Sequence, residues 1–118
     1  MIAIGSDHGG FELKEHIKKH LEERSLEYKD FGCYDENSVD YPDIAEKVCN
    51  AINSGDADKG ILVCGTGIGI SIAANKIDGI RAAHCHDVYS AEMTKRHNNA
   101  NVICMGGRVI GIWPGRRG

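Results

Sequence analysis

Apolar residues fill most of the first five positions, MIAIG, and predict a short buried strand over residues 1–5. Phe11, Leu13, Ile17 and Leu21 then recur at helical spacing among charged residues and predict a helix over about 11–24. Residues 27–32, EYKDFG, suggest a second strand, after which a polar loop leads to Tyr41-Pro42-Asp43. Ile44, Ala45, Val48 and Ile52 mark one side of the next helix, which Asn53-Ser54-Gly55 stops. Residues 60–64 are a third strand, with a helix over about 68–76. Ile80 to His84 predict a fourth strand, about 87–97 a helix, and Asn101 to Met105 a fifth strand.

Strands that alternate with helices, several of them continuous apolar runs, imply a five-stranded parallel sheet covered on both faces, a doubly wound α/β domain. Such sheets bind ligands beyond the carboxyl ends of their strands, where the strand order reverses; for the order 2-1-3-4-5 this falls between strands one and three. Ser6-Asp7-His8-Gly9-Gly10 closes strand one and Cys64-Gly65-Thr66-Gly67 closes strand three, so the topology brings two distant polar turns together.

The run ILVCGTGIGISIAANK, residues 61–76, carries the densest chemistry. Alternate glycines at 65, 67 and 69 let backbone approach a ligand, and the helix start that follows points N–H groups and a positive dipole end toward it. Such a loop can hold a phosphate or a developing oxyanion. Cys64 beside it would feel the same dipole, which favours thiolate. The spacing is G-x-G-x-G after strand three rather than G-x-G-x-x-G after strand one, which argues against a dinucleotide. A phosphate or oxyanion cradle needs only backbone N–H groups and survives that objection.

The remaining candidates divide between ligand and scaffold. Asp7-His8 either caps the first helix or, opposite the 64–69 loop, contacts a sugar hydroxyl and a phosphate or ring oxygen. In His84-Cys85-His86-Asp87, two imidazoles on one face of a strand are too few for zinc, and only His97 or Cys104 could join them. His16 and His20, four apart among lysines and glutamates, read as a solvated helix edge. In Lys95-Arg96-His97-Asn98, the basic residues complement a helix C-terminus, and a His beside an amide can equally serve as acid and sugar ligand. Gly106-Gly107-Arg108 places a cation near the same rim.

Composition narrows the classes. A length of 118 residues fits one domain, and a formal charge of −3, from 14 basic and 17 acidic residues, gives no field for nucleic acid. No stretch approaches a membrane span, and the N-terminus lacks a basic region or cleavage site, so we expect a soluble, unprocessed cytoplasmic protein without a membrane partner. The five cysteines at 33, 49, 64, 85 and 104 are odd in number and lack a CxxC pair, so no disulfide framework is expected. Cys49 and Cys104 fit small buried hydrophobes.

Taken together, SDHGGF at 6–11, DYPD at 40–43, LVCGTGIGISIAANK at 62–76, RHNNAN at 96–101 and GGRVIG at 106–111 resemble the B-type ribose-5-phosphate isomerases. The resemblance implies a Rossmann-like subunit, a homodimer or dimer of dimers, and interconversion of D-ribose 5-phosphate and D-ribulose 5-phosphate in the pentose phosphate pathway, without metal or organic cofactor. The wider family includes allose-6-phosphate and galactose-6-phosphate isomerases. By the resemblance Cys64 is the base that moves a proton between C2 and C1; another branch of the family uses a glutamate at the place of Ile70, which cannot do this chemistry here. Thr66 and the backbone of Gly65, Gly67, Ile68 and Gly69 would stabilise the enediolate, and His97 would open the furanose ring. Asp7, His8, Asn98 and Arg108 would contact substrate, with Tyr41 in or behind the pocket. His97 would serve the partner subunit's Cys64.

After about residue 111 the resemblance stops: Ile112-Trp113-Pro114-Gly115-Arg116-Arg117-Gly118 does not read as the family's C-terminal helix, and Arg116-Arg117 do not stand for its two phosphate-gripping arginines. Three functions therefore compete: a pentose- or hexose-phosphate isomerase, a truncated dimeric binding protein of low activity, and a flavodoxin-like or receiver-type module. A receiver would want an Asp at the end of strand three, where this chain has Cys64.

Overall fold

The computed structural model describes residues 1–32, 41–65, 68–85 and 100–106. Five strands, β1 (Ile2–Ser6), β2 (Tyr28–Asp30), β3 (Lys59–Cys64), β4 (Ala82–His84) and β5 (Val102–Gly106), form one sheet in which every pair is parallel. Three helices, α1 (Phe11–Glu23), α2 (Tyr41–Asn53) and α3 (Ile68–Asn75), pack on it, and a 3-10 turn, His8–Gly10, joins β1 to α1. The doubly wound α/β fold expected from the alternation is therefore present. The helix expected over 87–97 lies outside the described residues.

The strand order is β2-β1-β3-β5-β4, which corrects the expected 2-1-3-4-5. The physical reason lies in burial. A central strand must bury alternate side chains on covered faces, and β5 does so with Val102 and Cys104 at zero exposure. The three residues of β4, Ala82, Ala83 and His84, are all only half-buried and suit an edge. The reversal between β1 and β3 is unaffected, because β2 lies on one side of β1 and β3 on the other.

Alternation along the strands sorts the core. Leu62, Cys64, Val102 and Cys104 join Val48 and Cys49 of α2 and Ile70 and Ala74 of α3 in one apolar cluster. Ile4 and Val63 have the opposite parity and are also fully buried, while Leu13 and Leu21 are the buried apolar residues of α1, which packs against β1 and β3. Cys49 and Cys104 are buried within the α2/α3 cluster, as expected for small hydrophobes. Burial pushes the Cys49 thiol up to about 11. Cys104 is raised further, by burial first and then by the neighbouring thiols of Cys49, Cys64 and Cys85. All four described cysteines are buried thiols.

Candidate functional site

The site is built where β1 and β3 end side by side. Ser6 pairs with Val63, so the residues that follow each strand emerge together at the carboxyl edge. The Asp7 N–H donates to the Val63 carbonyl at 3.2 Å and extends the pairing by one residue. Asp7 Oδ1 accepts the Gly10 N–H at 3.1 Å. The Asp7 carboxylate thus caps the 3-10 turn, whereas α1, with Gly10 at its N-cap position, has no side-chain cap of its own. Gly10 is required by close approach: a Cβ there would stand 2.6 Å from the Val63 carbonyl carbon and oxygen. Because that contact is with backbone, it cannot be relieved by a rotamer change, and the turn is pressed directly onto the end of β3.

Cys64 is the last residue of β3, lies opposite Gly106 of β5, and is 4% exposed. Gly65 after it is buried, and α3 starts at Ile68. Ile68 is 53% exposed and Gly69 half-buried, so the first turn of α3 reaches the surface beside the buried thiol. Ile70 has no exposure and packs in the same cluster as Cys64. The structure therefore brings together Asp7 and the Val63-Cys64 end of β3, the two strand tips that the switch-point argument singled out. His8 lies in the 3-10 turn and Tyr41 opens α2, but their side chains lie outside what the structure describes. Thr66, Gly67, His97, Asn98 and Arg108 also lie outside the described residues.

The strand β4 ends at His84, and the expected face-sharing of His84 with His86 lies outside the described residues. Among the described residues no group of three His, Cys, Asp or Glu could hold a metal ion. His16 and His20 meet edge to face with ring centroids 5.1 Å apart on the outer side of α1.

One polar cluster escaped the sequence reading. Lys14 is wholly buried, and its Nζ lies 2.6 Å from Asp30 Oδ2 at the end of β2. Lys18 reaches the same oxygen at 2.9 Å, and both ammonium groups approach Glu15, at 3.4 and 3.1 Å. Burial works to raise the Asp30 carboxyl, but hydrogen bonds from Lys14, Lys18 and the Gly32 N–H outweigh it and hold the group below its ordinary value. Burial likewise works to lower Lys18, yet Asp30 and Glu15 raise it. A signal was available: Lys14 falls three residues after Phe11, three before Ile17 and seven before Leu21, on the apolar stripe itself.

With this geometry in hand, comparison with known proteins is decisive. The model of the family described as Ribose/Galactose Isomerase matches residues 2–115. The chain belongs to the ribose/galactose isomerase family. Within that family it is 52% identical over 110 residues to a ribose-5-P isomerase B of Listeria innocua, covering 93% of this chain and 74% of the relative. It is 50% identical over 113 residues to a D-erythrulose-4-phosphate isomerase of Pectobacterium atrosepticum, covering 93% of this chain and 73% of the relative. The fold matches that of a ribose-5-phosphate isomerase B of Clostridium thermocellum with a TM-score of 0.89 at 55% identity, over 93% of this chain and 74% of that one. Among the described residues no helix is long and apolar enough to cross a membrane.

Proposed function

We propose that this family member is an aldose–ketose isomerase that interconverts D-ribose 5-phosphate and D-ribulose 5-phosphate. The observation that carries the reading is the placement of Cys64 at the end of β3, next to the Asp7 turn, in a chain about half identical to ribose-5-phosphate isomerases B. The reaction needs a base near two adjacent carbons, donors for the enediolate oxygen, an acid to open the sugar ring and an anchor for the phosphate. Cys64 takes the proton from C2 and returns it to C1. Thr66 and the backbone N–H groups of 65–69 hold the oxyanion that forms between these steps, at the head of α3.

His97 donates to the ring oxygen, Asn98, His8 and Asp7 bind hydroxyls, Arg108 faces the phosphate and Tyr41 closes the pocket wall. Asp7 Oδ1 is engaged by Gly10, so its second carboxylate oxygen is the one offered to substrate. The enzyme works in the cytoplasm as a homodimer or dimer of dimers whose pockets are each completed across the interface. Ketose formation from ribose 5-phosphate by the wild-type chain and by Cys64→Ala tests this: the variant should retain the fold and lose turnover, and near-wild-type turnover would sink the assignment. The erythrulose-phosphate relative gives a second reading weight, namely a four-carbon substrate. Rates with ribose 5-phosphate, erythrulose 4-phosphate, allose 6-phosphate and galactose 6-phosphate separate the two.

A further inference from the structure

The buried Lys14 takes no part in this chemistry, yet its bonds lead to the site. From Lys14 Nζ the contact passes to Asp30 Oδ2 at 2.6 Å, and Asp30 Oδ1 accepts the Gly32 N–H at 2.9 Å. Gly32 stands at φ +121°, a backbone region that glycine supplies, and its carbonyl accepts the Ser6 N–H at 2.6 Å. The next residue is Asp7, held on its other side by Val63 and Gly10. The strand that ends at Asp30 is only three residues long and pairs with β1 alone, so beyond it the chain is held against the tip of β1 by this clamp and by the Phe31 N–H on Ile4. Burying an ion pair is a poor route to stability, since apolar residues of similar volume often do as well or better, whereas it does fix one geometry. Lys14 also lies 5.3 Å from the Phe11 ring centroid, which limits where its ammonium can go.

We propose that Lys14, acting through Asp30 and Gly32, is a positioning residue that sets the Asp7 carboxylate at the mouth of the sugar-phosphate site. The proposal rests on the reading of Asp7 as a substrate contact. Its loss lets the 30–32 segment and the tip of β1 shift, which weakens ground state and transition state alike, so KM moves and kcat does not. The experiment compares kcat and KM for ribose 5-phosphate in Lys14→Met, Asp7→Ala, their double variant and Leu21→Ala, at a temperature where melting curves show all of them folded. Lys14→Met should raise KM about ten-fold with kcat within about two-fold, given that a misplacement of about 1 Å can cost up to ~100-fold. Lys14→Arg, which keeps the buried cation that Asp30 has in addition to Lys18, should restore most of KM. Leu21→Ala, which loosens the same helix without touching the relay, should leave KM alone, and Lys14→Met should add nothing to KM in the Asp7→Ala background.

An unchanged KM in Lys14→Met beside a raised KM in Asp7→Ala overturns the relay and leaves the site reading standing. An unchanged KM in Asp7→Ala overturns both. Additive effects in the double variant, or an equal KM rise in Leu21→Ala, overturn the relay as well. If Lys14→Met does not fold, Lys14→Gln carries the same expectation and the same overturning results.

Discussion

The two faces of the sheet are stabilised differently. Under α2 and α3 the described core holds no buried charge: Leu62, Cys64, Val102 and Cys104 meet Val48, Cys49, Ile70 and Ala74. Under α1 the same strands present Ile4, Val63 and the buried hydroxyl of Ser6, and the helix answers with Leu13, Leu21 and a wholly buried lysine. Apolar burial is non-directional and tolerates small shifts, so it suits holding the fold. A buried ion pair is directional and fails when displaced, so it suits holding a loop in register. The proposed site draws on both, because Cys64 belongs to the first face and the Asp7 turn is tied to the second.

That contrast can be broken or sharpened experimentally. The largest effect expected is on chemistry: Cys64→Ala should lower turnover by about a thousand-fold, in the range of a lost general base, in a variant that a melting curve still shows folded. Leu62→Ala on the apolar face should cost about 3 kcal/mol in urea unfolding while leaving the KM of the folded fraction intact. A KM change there would erase the distinction between the faces. Gly10→Ala, which drives a Cβ into the Val63 backbone, should cost about 2 kcal/mol and, unlike Leu62→Ala, raise KM by displacing the Asp7 turn.

The charged face should also titrate where the apolar face does not. The Asp30 carboxyl is depressed in the folded chain, so its contribution to stability is present above the unfolded carboxylate value and is lost as pH falls through the lower folded one. Lys18 is raised, so its contribution is present below the unfolded amine value and is lost only as pH rises through the higher folded one. Urea midpoints should therefore fall between neutral pH and pH about 3 more steeply in the wild type than in Asp30→Asn. Equal slopes would mean that the clamp adds nothing to stability. The smallest effect is expected outside both faces: Tyr28→Phe removes an exposed hydrogen bond to Glu22 and should leave the unfolding midpoint unchanged.

What could be read from the chain was local. Helical spacing places α1 over 11–24 against the observed 11–23, and α3 over 68–76 against 68–75, because one apolar stripe is set by residues within a few turns of each other. The G-x-G-x-G run after an apolar strand is likewise visible from neighbouring residues alone, and the pairing of the strand-one and strand-three tips follows from a parallel sheet with one reversal. Tertiary structure decided whatever depends on distant partners. The position of β5 between β3 and β4 turns on which strand has side chains to bury completely, a comparison no local pattern makes. Lys14 stands on the apolar stripe of α1, but the carboxylate that pairs with it there, Asp30, lies sixteen residues on. Gly10 reads as a flexible turn residue until the Val63 backbone is found where its side chain would be. Periodicity is a property of neighbours in sequence, whereas desolvation and steric exclusion are properties of neighbours in space.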